Sequence, residues 1–338
     1  MKQKDLSNYE DWEKAKLQHM ADVLQVRILL ESSDPDGLRG INPKYFKALQ
    51  ARARIAKPYR DALDNRAQWY IAAVPGPEWA KKLYPRLSKN QAMEQLWKDI
   101  LFTSRADGDD PVAAWEEHNR DLKERCAYLN SLGLRQLHYT SAAGTDLTVG
   151  LIPRGRFHAG ADTTLQGVSF DPNIPTEEVF TSPDRRTAEG IVYATKPLSY
   201  QGQLIENFFV RFENGRVTEV KAEKGQDVLE YLVGMDEGSH YLGECALVPV
   251  ESPINRSGIL FYNTLFDENA ACHLALGAGF NECVEGFETM SQEELHGLGV
   301  NDSVTHVDFM IGSEELSIDG VTEDGKTVPI FRKGTWAF

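Results

Sequence analysis

The sequence predicts an α/β N-terminal domain over residues 1–140, followed by a β-rich α+β domain over residues 141–338. Three observations carry this. Up to about residue 132, helical periodicity alternates with short apolar strands, which predicts an α/β layer with some parallel sheet. Gly133 stops the last long helix, and the boundary falls within 133–145. Beyond it, short β-type runs punctuated by Gly, Asn and Pro dominate, with few helices.

The elements follow in order. Residues 9–20 have loose helical spacing (Tyr9, Trp12, Leu17, Met20), and 23–30 alternate partly as a strand, stopped by the turn cluster at 32–37. Asn42-Pro43 predicts an N-cap with proline at the first helical position, and the helix should end at Lys57, before Pro58. Arg52, Arg54 and Arg60 read as a solvated face rather than a phosphate site. A buried strand is expected at 69–74. Helices are expected at 79–84, 88–102 (capped by Ser88) and 112–132. Residues 136–140 and 146–151 are β-like, and Asn214-Gly215 between two alternating runs predicts a hairpin. Helices are expected at 228–233 and 268–277, and strands at 241–248, 306–311, 316–321 and 327–331.

Composition narrows the function. The chain has 338 residues and a net charge of -15, which disfavours non-specific nucleic-acid binding and adhesion to anionic membranes. Its four cysteines, Cys126, Cys245, Cys272 and Cys283, include no C-x-x-C pair, so free thiols in a reducing cytoplasm are expected. No apolar h-region follows Met1–Asp5, so no signal peptide is expected, and no apolar run reaches the ~18 residues of a membrane span. Phosphate-loop, dinucleotide, H-E-x-x-H and nucleophile-elbow motifs are absent.

The chemistry gathers between Thr176 and Asp308. On a strand, His306 and Asp308 share one face, because side chains alternate. By itself, a structural His–Asp hydrogen bond explains that pair. Glu244 falls in phase with apolar Leu242, Ala246 and Val248, where a lone carboxylate is costly unless paired or metal-bound. Glu268 and His273 lie on the helix expected at 268–277, with Asp267 or Asn269 placed to orient the imidazole. Glu177 and Glu178 diverge on a strand, so that one can bind metal while the other acts as a base. Each segment alone has a bland reading: an acidic turn, a core histidine, a half-covered face. Together, Glu178, Glu244, Glu268, His273, His306 and Asp308 suit a pair of divalent ions such as zinc, cobalt, manganese or magnesium. His138, His158 and His240 lie outside the set and read as surface or structural.

At these residues the sequence resembles the M29 family of metalloaminopeptidases. The matching stretches are 144–151, 173–181 (Asn-Ile-Pro-Thr-Glu-Glu-Val-Phe-Thr), 242–244, 261–273 and 306–313, in order, with cover from about residue 35 to the end. The resemblance implies a cytoplasmic, dimeric exopeptidase that holds two divalent ions and takes peptide substrates. It places metal ligands on Glu178, Glu244, His273, His306 and Asp308, with Glu268 a less certain one, and by analogy makes Glu177 the base. Two departures are expected to matter. The N-terminal domain is expected to be shortened and to open on a different segment. Phe280 replaces a family tyrosine thought to assist catalysis, and loss of a hydroxyl donating to an oxyanion costs on the order of 10²-fold or more. The reading is a metal-dependent aminopeptidase with its metal site in the β-rich domain. Its rivals are a two-metal hydrolase of another amide or modified peptide, and a binding protein that keeps the metal without turnover.

Overall fold

The computed structural model describes residues 6–41, 43–63 and 65–338. Met1–Asp5 and the expected cap Asn42 lie outside the described residues.

The N-terminal part is mixed helix and sheet. Helix α1 (Asp11–Asp22) is followed by β1 (Arg27–Glu31), α2 (Pro43–Asp61), β2 (Trp69–Ala73), α3 (Pro77–Leu83), α4 (Lys89–Thr103) and α5 (Pro111–Ser131). Ser88 caps α4 in a reciprocal box with Gln91. Helix α2 does not stop at Lys57 but runs on through Pro58. Proline removes one N–H from the ladder without forbidding another turn, and the Ala62 amide still reaches Pro58 O at 3.1 Å.

Strand β1 pairs with β2 in parallel, and β2 pairs with the short strand β8 (Asn173–Ile174) to complete a three-stranded sheet. Between lie β3 (Leu134–Thr140), β4 (Asp146–Gly150), β5 (His158–Ala159) and the β6–β7 hairpin (Asp162–Thr163, Ser169–Phe170). After β8 come β9 (Val179–Thr181), β10 (Glu189–Tyr193), β11 (Leu198–Tyr200), β12 (Gln203–Glu213), β13 (Arg216–Lys224) and helix α6 (Gln226–Val233). Asn214 and Gly215, with φ of 51° and 80°, make the expected turn between β12 and β13.

Then follow β14 (Leu242–Leu247), α7 (Pro253–Ser257), α8 (Thr264–Asp267), β15 (His273–Gly277), α9 (Gln292–Leu298), β16 (His306–Met310), β17 (Ser317–Thr322), β18 (Thr327–Arg332) and β19 (Thr335–Trp336). The expected helix over 268–277 is therefore wrong. A single 3-10 turn, Glu268–Ala270, leads into β15, whose five residues are all buried. A short apolar run walled in on both faces has no period that distinguishes strand from helix. β15 sits between β14 and β16, and that pairing decides it.

Two antiparallel sheets complete the fold among the described residues. A nine-stranded sheet runs β11-β12-β10-β4-β3-β17-β18-β19 with β13 added at β12, and a five-stranded sheet runs β16-β15-β14-β9-β5. Cys245, Leu247, Leu274, Leu276, Val307 and Phe309 of the five-stranded sheet join Leu137, Tyr139, Leu147 and Phe331 of the nine-stranded one in the main core. The other face of the five-stranded sheet holds the site. No helix among the described residues is long and apolar enough to cross a membrane.

Candidate metal centre

Cross-strand partners point the same way. The register His158↔Phe180↔Ala246↔His273, with Glu244↔Ala275↔Asp308 and Gly277↔His306, therefore collects these side chains on one face. Glu244 reaches it through an irregularity of β14. The register slips between Leu242 and Glu244, so Leu242 turns into the core while Glu244 faces the site. The two residues are thus out of phase, contrary to simple alternation. Gly243 permits the slip: a Cβ there would lie 2.2 Å from Ala278 O and 2.4 Å from Gly277 O.

Glu177 and Glu178 lie just before β9, not within it. They do diverge. Glu178 Oε2 lies 3.1 Å from His273 Nε2. Glu177 takes the guanidinium of Arg105 on both carboxylate oxygens, and His118 Nε2 stands 3.8 Å from it. The Glu177 amide donates to Asn269 Oδ1 at 2.7 Å, so Asn269 anchors this loop and does not orient His273. Asp267 likewise is spent on the amides of Phe261 and Asn263.

The imidazoles are oriented by backbone. His273 Nδ1 lies 3.1 Å from Ala271 O, and His306 Nδ1 lies 2.7 Å from Ala278 O. A carbonyl only accepts, so each Nδ1 carries the proton and each Nε2 faces the carboxylates. His306 Nε2 is 3.0 Å from Glu244 and 3.1 Å from Asp308.

Ligand-type atoms of Glu178, Glu244 and His273 lie within 4.8 Å of one another, as do those of Glu244, His306 and Asp308. Glu268 adjoins Asp308 and Glu178; Glu178, Glu244 and Asp308 are deeply buried, and Glu268 is partly buried. Burial raises Glu244 to about 7 against the pull of His306. Burial, with Asp308 and Glu178 nearby, raises Glu268 well above the carboxylate range. Burial alone would lower His273, but Glu178, Glu244 and Asp308 overrule it and lift it to about 10. His306 is raised likewise against burial by Asp308 and Glu244. Burial opposes ionisation of Asp308, yet His306 and His273 hold it down at about 2.

Crowded buried carboxylates of this kind call for cations. Two groups of ligand-type atoms share Glu244. This carboxylate–imidazole set fits divalent ions.

The centre opens into a cavity of ≈ 580 Å³. One face of the parallel sheet forms part of its wall through Leu29, Glu31, Trp69, Ile71 and Asn173. Phe280 lines it too, its ring 5.0 Å from His306 and 5.3 Å from Phe180. His158 is no surface histidine: it lines the same cavity beside Phe180. His138 pairs with Asp146 at 2.7 Å on the exposed side of β3, and His240 closes a 3-10 turn.

Residues 1–336 match the family described as thermophilic metalloprotease (M29). The chain belongs to the M29 family of metalloproteases. It is 48% identical to aminopeptidase AmpS of Bacillus subtilis (strain 168) over 333 residues, 98% of this chain and 81% of the relative. It is 46% identical to aminopeptidase T of Thermus thermophilus over 312 residues, 92% and 76% of the two chains. The solved structure of wild-type AmpT from Thermus thermophilus superposes with a TM-score of 0.88 at 41% identity, covering 98% of this chain and 81% of that one. The M29 chain is thereby an enzyme of the metallo-aminopeptidase class, a hydrolase. The family match also starts at residue 1, so the opening segment is not foreign to the family as its motifs suggest.

Arg105 and His118 escaped the sequence reading. Both lie in the N-terminal helical region, far from the motifs. The one sequence signal was an arginine just past the end of α4, where helices favour glycine.

Proposed function

We propose that this M29 enzyme removes N-terminal residues from peptides at a centre for two divalent ions. Glu178, Glu244 and His273 would hold one, and Glu244, His306 and Asp308 the other. The observation that carries this reading is the pair of donor groups sharing the buried carboxylate of Glu244. When bound, two such ions polarise the scissile carbonyl and make water acidic enough to attack near neutral pH.

The chain's own residues do the rest. Glu268, which burial drives toward its neutral form, regains its charge beside a cation and suits the substrate's α-ammonium or a metal ion. Glu177 is the proposed proton relay. Arg105 holds its carboxylate. Phe180, Phe280 and Trp69 give the cavity apolar wall for a side chain and exclude water from the reacting atoms. Zinc, cobalt, manganese and magnesium all suit the donor set. A homodimer in the cytoplasm is part of the same proposal. A second reading, hydrolysis of another amide, draws on Phe280 at the cavity wall.

The test is the metal content of the purified protein, with release from leucine 4-nitroanilide and from peptides measured before and after chelation. Two ions per chain and chelator-sensitive release support the proposal. Two ions with no release from either substrate would sink the aminopeptidase reading.

A further inference from the structure

Tyr262 lies in the left-handed region with φ of 57°. That conformation is strained for a bulky residue and persists only where the surroundings impose it. Here they do. The buried carboxylate of Asp267 accepts the amides on both sides, Phe261 at 2.7 Å and Asn263 at 3.0 Å. The indole of Trp79, fully buried, donates to Phe261 O at 2.6 Å. Lys82, tied to Asp36 at 2.9 Å, places its ammonium 5.0 Å from the Tyr262 ring centroid.

Of the non-glycine residues with positive φ, Tyr262 is the one that lines the metal-site cavity among the described residues. It is also the one tyrosine in that lining, and its hydroxyl has no hydrogen-bond partner among the described residues. Phe280, beside His306, offers no hydroxyl.

We propose that Tyr262 binds substrate: its hydroxyl donates a hydrogen bond to the carbonyl oxygen of the scissile peptide bond as negative charge develops there. A buried carboxylate, a buried indole and a lysine all hold one strained residue in place. Fixed donors aimed at developing charge are the usual source of large rate effects. No proton leaves the tyrosine, and the step requires nothing beyond the hydrolysis it assists. The inference rests on the peptidase reading above.

Metal-reconstituted wild type, Tyr262→Phe and Tyr262→Leu are compared on leucine 4-nitroanilide, with metal content measured on each sample. Calorimetry then compares binding of the phosphonic acid analogue of leucine, which is tetrahedral and oxyanionic, with binding of leucine itself. Tyr262→Phe should lose about 10²-fold in kcat with KM and metal content little changed. It should bind the phosphonate correspondingly more weakly and leucine as before. Tyr262→Leu should lose the same kcat and, with the ring gone, raise KM as well. Unchanged kcat and phosphonate affinity in Tyr262→Phe would overturn the role. If wild type releases nothing yet binds the phosphonate through the Tyr262 hydroxyl, the site assignment stands and the peptidase reading falls. If wild type neither cleaves nor binds it, both fall.

Discussion

Arg105 grips both carboxylate oxygens of Glu177, the residue next in sequence to the ligand candidate Glu178. Arg105 stands just past α4, where the Ala106 amide reaches Leu101 O and its own reaches Phe102 O, a helix-ending motif that favours glycine. Arginine occupies it at φ of 53°, so the ion pair outweighs the strain. Arg105→Gly should therefore destabilise the fold by about 3 kcal/mol despite relieving that strain, because a buried carboxylate loses its partner. Adding Glu177→Gln should recover most of the loss. Urea denaturation of the single and double variants checks this.

The shared carboxylate makes the ligand candidates separable. Glu244→Ala should empty the centre, since both donor groups pass through it. Glu178→Ala and His306→Ala should each lower the metal content and abolish turnover. Metal analysis after reconstitution gives the answer, and wild-type stoichiometry in any of the three would remove that residue from the set.

Metal uptake should release protons. In the metal-free centre His273, at about 10, holds a proton at neutral pH, and Glu244, at about 7, holds part of one. Both must be shed for coordination, so apparent metal affinity rises with pH. Calorimetry in buffers of different ionisation enthalpy counts the protons.

Metal-free stability should move the other way. His273, His306 and Glu244 all have raised values in the folded protein. Each therefore contributes stability that is present below its ordinary value and is lost as pH rises through the raised one. Chelated protein should melt at a lower temperature at pH 9 than at pH 7. A flat or rising trend would contradict the clustered charges.

Gly243→Ala tests the slipped register. The new methyl meets two backbone oxygens that cannot swing aside. A loss of about 1–3 kcal/mol is expected from overpacking. Displacement of Glu244 should lower metal content with it.

The candidate ligands were legible in the sequence because their residue types are a local signal. Glu178, Glu244, Glu268, His273, His306 and Asp308 each sit in a short segment whose residue types metal ions favour, and alternation alone put His306 beside Asp308. The long amphipathic helices α4 and α5 and the Asn214-Gly215 turn were equally legible, since cap and turn chemistry act within a few residues. Only the tertiary structure decided the rest. β15 is a strand because it lies between β14 and β16, a pairing that no local period expresses. Glu244 faces the site because the register slips at a glycine wedged against a distant backbone. Arg105 meets Glu177 across 72 residues of chain. His158 joins the site through pairing of an edge strand with β9. Sequence fixes what a residue can do within its own turn or strand. Which residue it meets depends on long-range packing, whose energy comes from burying whole faces at once.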